Sequence, residues 1–127
     1  MRRNLSTIAI LFSIFSGGLS VLMGALGAHA FDLALDKNFL NQFETAVEYQ
    51  MSHSLIVLLV GLFNDQYGPN FFFELSMMSF VLGIIVFCFS LYALTLFSFS
   101  GIAFIVPIGG IFLMAGWALF FVAFLVK

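Results

Sequence analysis

The sequence predicts an all-α fold, an integral membrane four-helix bundle made of a single domain of residues 1–127. Composition is the first reason, because 63% of the residues are hydrophobic and only 8% are charged, whereas soluble domains average about a quarter charged residues. The second is that four apolar runs are long enough to cross a hydrocarbon core of about 30 Å. Short connections between the later runs are the third, because they make consecutive helices antiparallel neighbours. The predicted spans are residues 5–28, 45–63, 75–97 and 102–126.

Composition also excludes several classes of function. The net charge is −2, so the chain has no basic face with which to bind nucleic acid. The chain has one cysteine, Cys88, which excludes an internal disulfide. The sequence contains no HExxH, GxSxG or phosphate-loop motif, and its histidines and acidic residues lack a metal-binding spacing. We therefore predict no catalytic residues, no enzymatic activity, no metal and no cofactor, and we expect the lipid bilayer as the main surroundings.

The first apolar run has two interpretations, a membrane helix or a cleaved signal peptide. Two arginines precede the run, and Ala28-His29-Ala30 matches the small-residue pattern of a cleavage site. However, the run exceeds the roughly 7–15 apolar residues of a signal peptide. Small residues also recur at every fourth position, which lets another helix approach closely: Ser16, Ser20, Gly24 and Ala28. We therefore predict a retained helix.

Residues 30–43 are too short and too charged to form a span. Phenylalanine or leucine recurs every four residues at Phe31, Leu35, Phe39 and Phe43. Polar residues lie between them: Asp32, Asp36, Lys37 and Asn41. The segment is either a short amphipathic helix in the membrane interface between the first two spans or a loop anchored by its phenylalanines.

The second span differs from the others because polar side chains lie in and next to it. A charged carboxylate deep in a bilayer costs about 2.5–3.5 kcal/mol, so such groups must face protein, a cavity or the interface. Glu48 and His53 lie on different faces of one helix, so each needs a partner from another helix. The candidate polar cluster contains the following residues: His29, Glu44, Glu48, Tyr49, Gln50, His53, Ser90 and Tyr92.

Turn residues end the second span at residues 64–70, and residues 98–101 form a tight connection before the fourth. In the fourth span, Pro107 removes a backbone hydrogen bond and glycines follow it. A broken helix of this kind either lines a binding site or permits close packing, and we favour packing. The candidate packing and kink positions are Gly24, Gly27, Pro107, Gly109, Gly110, Gly116 and Trp117.

Charge distribution predicts the orientation. Four spans place both termini on one side of the membrane, where Arg2, Arg3 and Lys127 collect, while the opposite side has only Lys37. By the positive-inside rule, both termini are predicted to be cytoplasmic.

Four stretches of the chain resemble a known family. They are residues 24–29, residues 43–53, the Ser-Leu-Tyr of residues 90–92, and Pro107-Ile108-Gly109-Gly110 with Gly116-Trp117. The chain is similar to the family catalogued as domain of unknown function 423, the small four-span membrane proteins that include YgdD-like and transmembrane protein 256-like members. The resemblance covers all four helices in order and implies a multi-pass protein of the bacterial inner membrane, without a defined activity. One departure is Phe87-Cys88-Phe89, where the family usually has Phe-Ser-Gly, so Phe89 brings into question a close helix approach there.

Two functional hypotheses follow. The first is a non-enzymatic membrane protein with an interaction or assembly role, either as a homo-oligomer or with another membrane protein. The alternative is a small oligomeric protein for permeation or binding of ions, protons or small solutes, using Glu48 and His53.

Overall fold

The computed structural model describes residues 2–31 and 34–127, and it describes side chains from residue 5 onward. Four helices in this part of the chain are long and apolar enough to cross a membrane. Helix α1 is Arg2–His29 and helix α2 is Lys37–Tyr67.

Helix α3, Phe71–Phe97, contains a π-helical turn at Ile84–Cys88 that joins the α-helical parts Phe71–Gly83 and Phe89–Phe97. A 3₁₀ turn at Ser100–Ile102 precedes helix α4, which is Ile105–Val126.

The helices form a bundle in which α2 and α3 are central and α1 and α4 flank them. Helix α1 packs mainly along α2, α4 packs along α3, and α2 meets α3 in the middle. The apolar core comes mostly from the two central helices, with fully buried side chains at Phe43, Val57, Phe73 and Phe80. Many large apolar side chains point outward instead, as expected for a protein that faces lipid. The all-α bundle predicted from the sequence is confirmed.

The second helix begins eight residues before the predicted position. Asp36 lies just before it with an extended backbone, and its Oδ1 accepts a hydrogen bond from the Phe39 backbone N–H at 2.9 Å. This is a favourable N-cap, so residues 37–43 form the first turns of α2. The predicted interfacial helix over residues 30–43 is therefore not a separate element in the described residues. Asp32, which belonged to that prediction, lies outside them.

The connection between α2 and α3 is shorter than predicted. Helix α2 continues through Asn64 to Tyr67, and Gly68 ends it with a φ of 89°, a conformation that favours glycine. The buried Asn64 side chain donates from Nδ2 to Ser6 Oγ at 2.8 Å, and its Oδ1 accepts from the Asn70 N–H at 3.0 Å. These bonds tie α1, the end of α2 and the connection together, so three residues are enough for the turn.

The stripe of small residues on α1 follows a different period from the one predicted. Ser16 and Ser20 are buried, but Gly24 is only half-buried and Ala28 is exposed. A four-residue repeat turns by about 40° per step around a helix of 3.6 residues per turn, so it leaves the contact face. The positions that α1 buries against its neighbours are instead spaced by three, four or seven residues: Ser6, Ala9, Ser13, Ser16, Ser20 and Gly27.

Glycines let α3 and α4 approach closely. A Cβ atom at Gly109 would overlap the backbone of Phe87 in the π-helical turn. A Cβ at Gly116 would overlap the ring of Phe80 at 2.6 Å. The predicted packing role of these glycines is therefore supported by direct contact. Gly110 differs, because a Cβ there would lie at an ordinary 3.9 Å from the Phe87 ring.

Two predictions about α3 and α4 were wrong in detail. Helix α4 begins at Ile105, so Pro107 lies in its first turn, where a backbone N–H has no partner within the helix. Pro107 therefore starts the helix without kinking it. Phe89 is 39% exposed and does not separate the helices, because their close approach is made by Phe87 and Gly109.

Candidate functional site

The structure contains a buried hydrogen-bond network that joins three helices. Tyr92 of α3 donates its hydroxyl to Gln50 Oε1 at 2.5 Å. Gln50 Nε2 then donates to the Ser16 carbonyl oxygen of α1 at 3.0 Å and lies 3.3 Å from Ser16 Oγ. The Ser54 hydroxyl lies 2.8 Å from Ser16 Oγ and 2.5 Å from the Gln50 carbonyl oxygen. We call these four residues the three-helix network.

Helical spacing explains why the network forms. Gln50 is fully buried because α2 turns this position toward both α1 and α3, and Ser54 follows one turn later on the same face. The Phe43 ring lies 5.3 Å from the Tyr92 ring and covers the network on the side of the α1–α2 connection. The amide of Gln50 has partners for both its oxygen and its nitrogen, as burial in an apolar core requires.

His53 belongs to a second polar contact, between α2 and α4. The Trp117 indole Nε1–H donates to His53 Nε2 at 3.1 Å, and His53 Nδ1 lies 2.8 Å from the Tyr49 carbonyl oxygen. Indole can only donate and a carbonyl can only accept, so the proton of the ring is on Nδ1 and Nε2 carries none. His53 is therefore a neutral imidazole with a partner at each ring nitrogen.

Two further members of the predicted cluster do not bridge helices by hydrogen bonds. Tyr49 is 42% exposed, and its ring stacks on Phe87 with a centroid distance of 4.9 Å. Ser90 is buried, but its hydroxyl donates to the Phe87 carbonyl of its own helix at 3.0 Å.

The two glutamates and His29 lie outside the network. Glu44, Glu48 and His29 are all exposed, and within the described part of the chain none of them makes a hydrogen bond or an ion pair. Glu48 instead lines a groove between α1 and α2, formed by two adjoining cavities of about 190 and about 490 Å³. We call it the α1–α2 groove. The prediction that each of these residues finds a partner on another helix holds for His53, which bonds Trp117 of α4, and is wrong for Glu48, which points outward beside α1.

The sequence prediction missed Ser54 as a network residue and the pairing of Trp117 with His53. Ser54 had a usable signal, because it follows Gln50 by four residues and so shares its face. Serine at residues 6, 13 and 20 was a further signal, since a seven-residue repeat marks the buried face of α1. Trp117 had no such signal, because its partner is 64 residues away in the sequence.

The chemistry available at these positions is hydrogen bonding between helices. Among the described residues, no three His, Cys, Asp or Glu side chains come close enough to hold a metal ion. Cys88 is a free, fully buried thiol in the π-helical turn. Among the described residues, the exposed carboxylates of Glu44 and Glu48 both lack a protein partner, and both line the α1–α2 groove.

Comparison with known proteins identifies similar membrane proteins. The family model described as "Protein of unknown function (DUF423)" matches residues 23–110. The chain is 40% identical over 102 residues to a UPF0382 membrane protein of Haemophilus influenzae, covering 80% of this chain and 81% of the relative. It is 33% identical over 117 residues to the UPF0382 inner membrane protein YgdD of Escherichia coli, covering 92% of this chain and 88% of the relative. No solved structure matches the chain significantly.

Proposed function

The chain belongs to the DUF423 family and is a multi-pass inner-membrane protein, and on that premise we propose that it acts without enzymatic activity, in an interaction or assembly role. The proposed interaction surface is the α1–α2 groove.

The position of Glu48 is the observation that carries this proposal. Glu48 follows the exposed Glu44 by one turn on α2, and it faces Gly24 of α1, which lies five residues before the end of that helix at His29. At about 1.5 Å per residue, Gly24 is about 7–8 Å from that end, toward the middle of the helix. An exposed carboxylate at this depth is unfavourable in lipid, so a partner that pairs with it gains stability by binding there.

The buried polar groups support the same role. The three-helix network and the His53–Trp117 bond join the helices to one another and give the bundle fixed internal contacts. A rigid bundle of this kind presents its outer faces in a defined geometry, as a binding surface requires.

The alternative, permeation or binding of ions, protons or small solutes through Glu48 and His53, has less support. The two side chains face different neighbours, and both nitrogens of His53 are already hydrogen-bonded. A shared proton or ion site would need them to face one cavity.

Site-specific photocrosslinking in native membranes tests the proposal. A photoreactive residue at Val21, an exposed position that lines the groove, is expected to give a discrete adduct with a membrane protein. The control is Leu22, which is similarly exposed and at nearly the same depth but does not line the groove. If Val21 and Leu22 gave the same adducts, or if both gave lipid adducts alone, an interaction role at this surface would be wrong.

A further inference from the structure

The shape of the α1–α2 groove fits a helix. On α1 it runs from Ser20 to Ala28, and on α2 it runs from Phe43 to Leu55. The α2 side spans thirteen residues, about 18 Å from first to last or more than three helical turns, parallel to the helix axis. Gly24 lines both cavities, and small residues of this kind let the backbone of a neighbouring helix approach closely.

The charge in the groove specifies the chemistry of the partner. Around Glu48 the lining is apolar on the deeper side, with Val21, Met51 and Leu55. A carboxylate in such surroundings is stabilised by a cation brought to it, and a lysine or arginine within an apolar helix has the same need for an opposite charge.

A second copy of this chain in the same orientation does not supply that cation. In such a parallel pair, equivalent residues lie at equal depths. Lys37 is about 16 Å from Glu48 along α2, and Lys127 lies at the other end of the bundle, 4.0 Å from the Tyr67 ring centroid. Arg2 and Arg3 lie at the start of α1, the end far from Gly24.

A lipid amine is also a poor fit. Headgroup amines lie in the interface, outside the hydrocarbon core, whereas the groove continues from Glu48 along α2 to Leu55, away from the α1–α2 connection. A side chain of a transmembrane helix can be placed at any depth along that helix.

We propose that the α1–α2 groove binds a transmembrane helix of another protein, and that a lysine or arginine of that helix pairs with Glu48. This inference rests on the interaction role proposed above and adds the chemical identity of the partner.

Designed transmembrane peptides test the inference. The full-length protein is reconstituted in lipid vesicles with a fluorescent label, and peptides of leucine and alanine carry either one lysine at the depth of Glu48 or leucine in its place. Energy transfer measures association. The lysine peptide is expected to bind at least about 10-fold more tightly than the leucine peptide, and Glu48→Gln is expected to reduce this preference below about 2-fold.

Two controls make the result specific. Asp65→Asn removes a carboxylate of α2 outside the groove and is expected to leave the preference unchanged. A peptide whose lysine is moved by two turns, about 11 Å, is expected to lose the preference in the wild-type protein. Glu48 makes no hydrogen bond or ion pair with the described residues, so its substitution is expected to leave folding unchanged, which circular dichroism verifies.

Equal binding of the two peptides to the wild-type protein, or a preference that persists in Glu48→Gln, would overturn the inference. Self-association that competes with the peptide and requires Glu48 would also overturn it, in favour of a second copy. Protein adducts at Val21 that are unchanged by Glu48→Gln would leave the interaction role intact while removing the charge pairing. The two proposals can therefore fail separately.

Discussion

At the scale of single residues, the structure distinguishes polar groups that face inward from those that face outward. Gln50 and Tyr92 are buried and bonded to each other, and His53 is bonded to Trp117. Glu48, which lies between Gln50 and the start of α2, is exposed. Glu48 and Gln50 therefore face opposite sides of α2, because two residues turn by about 200° around the helix axis.

The bond between Tyr92 and Gln50 is expected to stabilise the bundle. Tyr92→Phe removes a donor and leaves Gln50 Oε1 buried without it. The free energy of unfolding should therefore fall by about 0.6 kcal/mol, the average measured for such bonds in membranes, and by no more than about 1.7 kcal/mol. The measurement is reversible unfolding in mixed micelles, followed by circular dichroism.

The matched control is Tyr49→Phe, the same substitution at a tyrosine that is 42% exposed, for which we expect little change. Combining Tyr92→Phe with Gln50→Leu should give less than the sum of the two single effects. Additive effects would show that the two side chains do not interact.

At the scale of helices, close approach depends on where glycine lies. Gly109 contacts the backbone of Phe87 in the π-helical turn of α3, whereas Gly110, the next residue, has room for a Cβ. Rigid backbone cannot move aside as the end of a flexible side chain can. The contact between α3 and α4 therefore tolerates a side chain at one of these positions and not at the other.

Gly109→Ala is expected to destabilise the protein by about 1–3 kcal/mol, because the added methyl group forces α4 away from α3. Gly110→Ala is the control and should be neutral or slightly stabilising, since alanine favours the helix by about 0.8–1.0 kcal/mol over glycine. Both are measured as the shift in the unfolding midpoint in detergent. Equal effects of the two substitutions would mean that α3 and α4 are not in contact at Phe87.

At the scale of the whole molecule, the two central helices hold the core and the two flanking helices face lipid on most of their surface. Four spans bring the termini to the same side of the membrane. Which side this is stays a prediction from charge, because three basic residues lie at the termini and one, Lys37, lies at the opposite end.

Reporter fusions test this orientation. A fluorescent protein that folds only in the cytoplasm should fluoresce when fused to the C-terminus. Alkaline phosphatase, which is active only outside the cytoplasm, should be active when fused after residue 36. The reverse pattern of reporter activity would show that these few charges do not set the orientation. In that case the substitution Lys37→Glu would leave the topology unchanged.

The sequence by itself determined the class of the fold, the number and order of the helices and the family. These depend on the length and composition of apolar runs, and a hydrocarbon core constrains both strongly. Gly109 and Gly116 were predicted as packing positions, and each lies where an added Cβ would overlap α3.

Tertiary structure alone decided which polar residues meet. Glu48 and His53 were each expected to find a partner on another helix, yet Glu48 faces the α1–α2 groove without one and His53 bonds Trp117. Helix boundaries changed as well, since Asp36 and Asn64 act through hydrogen bonds with specific partners. The rotation of a helix about its axis depends on which neighbour it packs against. Which neighbour a helix packs against depends on contacts between residues far apart in the chain. The spacing of residues within one helix carries no information about those contacts.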